Sequence, residues 1–117
     1  MNWHQLTQAS QLEEIREESQ RHPVLIFKHS TRCNISATAK ARLERKWKDD
    51  EAGDLAPYYL DLVSLRSLSN EIAETFGVRH ESPQVLLISK GECVYDASHF
   101  DISFDEISQQ ASRIEFV

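Results

Sequence analysis

A chain of 117 residues, 40% hydrophobic and 27% charged, is long enough to bury a core without a disulfide or metal staple, which excludes a disordered or fibrous protein. Its net charge of −6 argues against nucleic acid as a general partner, because neutralising phosphates needs a basic surface. A single domain over residues 1–117 is expected, and with neither a leader-like start nor a long apolar run, no membrane partner and a cytoplasmic location.

Ser10 stands three residues before Glu13, the pattern of a capping box, and Leu12 and Ile15 follow at helical spacing. An amphipathic helix is therefore expected from Ser10, ended by His22 and Pro23. "VLIFKH" (residues 24–29) is a short apolar run bounded by Pro and Ser, as in a buried strand. From Cys33 to about Asp50, Ile35, Ala39, Leu43 and Trp47 recur every four residues, which predicts one helix with an apolar stripe. "APYYLDLV" reads as a second strand, "SLSNEIAETFG" as a helix stopping at Gly77, and "QVLLISK", after Ser82 and Pro83, as a third strand. Lys90 and Gly91 turn the chain into "ECVYDA" as an antiparallel hairpin, and Ser103 with Glu106 opens a last helix. The order α-β-α-β-α-β-β-α predicts an α/β fold, a mixed sheet of about four strands flanked by helices. It resembles the thioredoxin-like order without the additional first strand of thioredoxin.

The two cysteines form neither a C-x-x-C nor a zinc-like cluster, so each needs its own explanation. Cys33 lies among polar and basic neighbours at an expected helix start, where free N–H groups and the positive end of the helix dipole favour a thiolate, with Lys28 and Arg32 adding charge. That favours a reactive thiol over a packed one. Between residues 28 and 48, seven basic residues against Glu44 leave +6 there and −12 elsewhere. The plain reading is a solvated helix face; the functional one is a local field that attracts an anionic ligand to Cys33. Ser36, one helical turn beyond Cys33, cannot resolve a mixed disulfide as a thiol would, so the site is monothiol. Cys93, in a short strand with Tyr95 expected on the same face, reads as a half-buried filler. His29 reads as a hydrogen-bonded structural residue rather than a metal ligand, His80 and His99 as residues that fix loops, and Trp47 as core.

The segments "FKHSTRCNISATAK", "SNEIAETFGVRHESPQVLL" and "DASHFDIS" resemble the monothiol bacilliredoxins of the YtxJ-like family in order and spacing over most of the chain. The resemblance implies a thioredoxin-like fold and action on disulfides between cytosolic proteins and the low-molecular-weight thiol bacillithiol. It makes Cys33 the nucleophile and Ser36 the vacant resolving position; Lys28, Thr31, Arg32 and Asn34, the neighbours of Cys33 in this chain, are expected with Ser36 to support the site. It also makes Pro83 a cis proline, with Ser82 presenting backbone to the ligand and Gln84 beside them. One departure is Asn34, where the family more often has proline. No bound cofactor or metal is expected; bacillithiol, or glutathione, which would fit the same basic neighbourhood, is the co-substrate. Two other classes are weighed against this one: an iron–sulfur carrier like monothiol glutaredoxins, which would need a Gly-Phe pair where Asn34 and Ile35 stand, and a noncatalytic thioredoxin-like interaction module.

Overall fold

The computed structural model describes residues 1–114. In chain order the elements are β1 (His4–Gln5), α1 (Ser10–Glu18), β2 (Val24–His29), α2 (Asn34–Lys46), α3 (Asp49–Ala52), β3 (Ala56–Asp61), α4 (Arg66–Phe76), β4 (Gln84–Ser89), β5 (Glu92–Ser98), a 3-10 turn (His99–Asp101) and α5 (Phe104–Ser112). The strands make one sheet in the order β1-β3-β2-β4-β5, parallel from β1 to β2 and antiparallel from there to β5.

β2 and β4 are buried along their whole length, and their alternation divides the core in two. Leu25, Phe27, Val85 and Leu87 point to one face, where Ala39 and Leu43 of α2 and Phe104 and Ile107 of α5 cover them. Val24, Ile26, Leu86 and Ile88 point to the other, under Leu12 and Ile15 of α1 and Leu68 and Ile72 of α4. Each fully buried aliphatic side chain contributes about 1.5–3 kcal/mol, so the central pair of strands is the anchor on which the loops at their ends are built.

Four sequence expectations change. An N-terminal strand exists after all: His4 and Gln5 pair with Tyr58 and Tyr59, a two-residue edge too short to carry a strand pattern. The capping box at α1 does not form, because Ser10 is already helical; Gln11 Oε1 instead accepts the Thr7 and Gln8 N–H groups at 2.8 and 3.0 Å, and the helix ends at Glu18, before His22. The long helix expected to Asp50 stops at Lys46, and α3 begins anew at Asp49. Asp49, Asp50 and Glu51 suit the positive N-terminus of a new helix and would oppose the negative end of a long one, and Trp47 turns its ring to within 5.0 Å of Phe104 at the break. Finally, Cys93 and Tyr95 face opposite sides, because the register shifts between Leu87, paired with Tyr95, and Ile88, paired with Cys93. A β-bulge of one extra residue reverses the usual two-residue parity.

The hairpin turn follows its sequence. Lys90 and Gly91 both have positive φ, +53° and +79°, as a type I′ turn requires, and Ser19 at the end of α1 holds them by accepting both their N–H groups. α5 begins as expected, with Ser103 Oγ accepting from the Glu106 N–H.

Candidate active site

The C-terminal end of β2 and the N-terminal end of β4 form one edge of the molecule. Lys28 pairs with Gln84, so continuing the antiparallel register brings Pro83 level with His29 and Ser82 level with Ser30, three residues before Cys33. The Ser82–Pro83 peptide bond is cis. The Pro83 carbonyl accepts the His99 N–H at 3.0 Å, and the 3-10 turn that begins at His99 packs against α2. Topology thus places Cys33, the Ser82–Pro83 junction and the His99 corner together.

Cys33 is the N-cap of α2. Its extended backbone, φ −115° and ψ 121°, turns the chain out of the loop, its carbonyl accepts the Ala37 N–H at 3.0 Å, and its N–H closes a turn onto the Ser30 carbonyl. No side chain caps the helix there, so the first N–H groups of α2 are open to an anion beside the half-buried sulfur. Thr31, Arg32, Asn34 and Ile35 around it are exposed, so Ile35, 46% exposed, drops out of the expected apolar stripe.

Ser36 is fully buried. Its Oγ accepts the Ser30 N–H at 3.0 Å and lies 2.6 Å from His29 Nδ1. Burial, followed by the positive charge of Lys40, pushes the pKa of His29 down, so the ring is neutral. The arrangement that satisfies every group has the Ser36 hydroxyl donating to His29 Nδ1 while accepting from Ser30. The hydroxyl therefore ties the strand end to the helix start, underneath the nucleophile.

Lys28, expected near Cys33, points the other way. Alternation along β2 puts it on the face that α4 covers, fully buried, where its Nζ donates to the Ser69 carbonyl at 3.1 Å and approaches His80 Nδ1 at 3.4 Å. Gln84 also turns inward: its Nε2 donates to the Arg79 carbonyl and its Oε1 accepts the Glu81 N–H, so its amide spans the proline loop. The basic segment is dispersed rather than gathered. Lys40 pairs with Glu44 at 2.9 Å beside the Tyr59 ring, while Arg42, Arg45, Lys46 and Lys48 are solvated, which leaves Arg32 as the exposed cation next to Cys33 in sequence. Sequence reasoning missed the Lys28–Ser69–His80 cluster, although strand parity signalled it: residues 24, 26 and 28 must share a face.

Cys93 cannot serve as the resolving thiol in this arrangement. It lies level with Ile88, which pairs with Val24, at the far end of β2 from His29. Five residues of strand is roughly 16 Å, well beyond the roughly 7 Å between Cα atoms that a disulfide tolerates. Its Sγ donates to the Tyr95 carbonyl, and burial pushes its pKa up to about 11. Among the described residues no group of His, Cys, Asp and Glu could hold a metal, and no helix is long and apolar enough to cross a membrane.

Burial lowers the pKa of Lys28 from 10.5 to about 8. Between those values the unfolded chain holds the proton that the folded chain has shed, so the stability due to this group rises with pH there, and the full penalty of the buried charge applies below pH 8. Cys93 acts oppositely from pH 9 upward, because the unfolded thiol ionises first. Comparison with Lys28→Met cancels that second effect. From pH 8 to 9.5, urea titrations should show wild type gaining on Lys28→Met by about 1 kcal/mol per pH unit; a constant difference would mean that Lys28 keeps its ordinary proton affinity.

The sequence matches, over residues 4–107, the family described as Monothiol bacilliredoxin BrxC. Among solved structures it is similar to a candidate oxidoreductase with a thioredoxin fold, at 34% identity over 90% of this chain and 89% of the other, with a TM-score of 0.77. It is also similar to the thioredoxin of Malassezia sympodialis, at 16% identity over 95% and 91% of the two chains (TM-score 0.74), and to a mutant thioredoxin of Halobacterium salinarum, at 20% over 97% and 91% (TM-score 0.67). The last two likenesses carry the fold alone.

Proposed function

The chain belongs to the monothiol bacilliredoxin family, thiol oxidoreductases of thioredoxin-like fold, and from that premise we propose that it removes bacillithiol from protein mixed disulfides through Cys33. The Cys33 thiolate attacks the bacillithiol sulfur of the mixed disulfide. The S–S bond breaks, the protein leaves as a thiolate that takes up a proton, and Cys33 is left disulfide-bonded to bacillithiol. A second bacillithiol, as thiolate, attacks that sulfur and leaves as bacillithiol disulfide, which returns Cys33 to its starting state. The observation that carries this reading is the half-buried thiol at the open N-cap of α2, with a buried hydroxyl and no second thiol one turn later.

By the family resemblance, Ser82 and Pro83 receive the substrate chain; Thr31, Arg32 and Asn34, exposed on either side of Cys33 in the chain, border the nucleophile. Arg32 is the exposed cation suited to the carboxylates of bacillithiol. The partners are cytosolic proteins carrying the thiol modification, and no resident cofactor takes part. Intact mass after incubation of the reduced protein with bacillithiol disulfide and, in parallel, glutathione disulfide tests the reading. One adduct, formed faster with bacillithiol, is expected. Faster reaction with glutathione would transfer the proposal to that thiol, and the absence of any adduct would end it in favour of an interaction module.

A further inference from the structure

A lysine with no exposed surface is an expensive residue to keep, because its charge must be desolvated. Among the described residues no carboxylate pairs with Lys28; its ammonium meets the Ser69 carbonyl and His80 Nδ1. Ser69 Oγ also lies 3.3 Å from His80 Nδ1. Burial, then the nearby charges of Lys28 and Arg66, hold the pKa of His80 down against Glu81, so the ring is neutral and its Nδ1 is free to accept. His80 stands two residues before Ser82. Beyond the end of β5, the His99 N–H continues the β4–β5 pairing by donating to the Pro83 carbonyl, and the His99 ring lies 3.2 Å from Glu81, while Gln84 braces the loop from within.

The 79–84 loop is therefore held from the α4 side of the sheet and by the end of β5, and among the described residues Lys28 is the charged side chain that reaches it from the α4 side. We infer that Lys28 is a positioning residue: from beneath the sheet its ammonium fixes His80, and through His80 the backbone at Ser82 and Pro83 on which a substrate disulfide rests. This rests on the proposed function for its purpose, but the hold on the loop stands on its own geometry. It also explains why a buried cation is tolerated in a strand whose neighbours on that face are Val24 and Ile26.

Lys28→Met separates positioning from packing. It keeps the length and apolar stem of lysine, removes the buried charge, and leaves His80 Nδ1 with Ser69 Oγ, so the melting temperature should stay level or rise at pH 7. The amides of His80, Glu81 and Ser82 should nonetheless exchange about tenfold faster, and KM for a protein–bacillithiol mixed disulfide should rise about tenfold with kcat little changed, the order of loss that loosened positioning gives. Alkylation of Cys33 by iodoacetamide should be unaffected. His80→Asn, whose side chain keeps an acceptor near the place of Nδ1, should behave as wild type, and His80→Leu should copy Lys28→Met in amide exchange and KM but lower the melting temperature, because the buried ammonium loses a partner. Unchanged amide exchange in Lys28→Met overturns the inference, as does faster exchange with an unchanged KM. If wild type proves inactive on every disulfide, the functional reading falls, and the exchange measurement still decides whether Lys28 holds the loop.

Discussion

Cys33→Ser should abolish transfer, lowering the rate on a protein mixed disulfide by at least about 10³-fold and eliminating the disulfide adduct in intact mass. A serine hydroxyl remains protonated at neutral pH and cannot form the S–S bond on which each half-reaction depends. Cys93→Ser is the matching control and should leave the rate within about twofold. Cys93 lies level with the opposite end of β2, and its thiol, hydrogen-bonded to the Tyr95 carbonyl, is held in the protonated form by burial. Retention of activity in Cys33→Ser together with its loss in Cys93→Ser would reverse the assignment of the nucleophile.

The second large effect falls on the residue that fills the resolving position. Ser36→Ala should destabilise the fold by about 2–4 kcal/mol, since it strands the buried His29 Nδ1 and the half-buried Ser30 N–H, each costing about 1–3 kcal/mol when left unpaired. For a chain of this size that is a drop in Tm on the order of 10 °C, read by circular dichroism or calorimetry. The same change loosens the link between the end of β2 and the N-cap of α2, so adduct formation at Cys33 should slow at a temperature where the variant is still folded. A stability loss under about 0.5 kcal/mol, within the range of ordinary surface substitutions, would show that the hydroxyl has no such role. In this chain the serine is more than an absent cysteine: it is the hydrogen-bonded hinge between strand and helix beneath the thiol.

The core of the fold was legible because its signals are local. The apolar runs in "VLIFKH" and "QVLLISK" fall on buried strands, the first residue for residue and the second ending one residue early at Ser89, Gly77 takes the left-handed conformation that ends α4, and Lys90–Gly91 makes the turn its composition demands. Less local features were misread. The break after Lys46 depends on where Trp47 finds Trp3 and Phe104, and the reversal of Cys93 against Tyr95 depends on a bulge set by pairing with β4. The edge strand at His4–Gln5 exists only because Tyr58 and Tyr59 offer it a partner.

For the candidate site the division is similar. Sequence alone determined that one thiol follows a buried strand and opens a helix, that no second thiol stands a turn later, and that a Ser-Pro pair precedes the next central strand; these are matters of residue identity and short-range order, which the chain carries wherever it folds. Tertiary structure decided which way each polar side chain faces. It turned Lys28 away from Cys33 and under the proline loop, drew Ser36 inward to His29 and Ser30, folded the Gln84 amide into its own loop, and spread the basic segment over solvent and Glu44. The physical reason is that a buried polar group takes whatever partner the packing of distant elements brings within about 3 Å, and the residues that meet there, such as Lys28 with Ser69 and His80, lie as far as 52 positions apart in the chain.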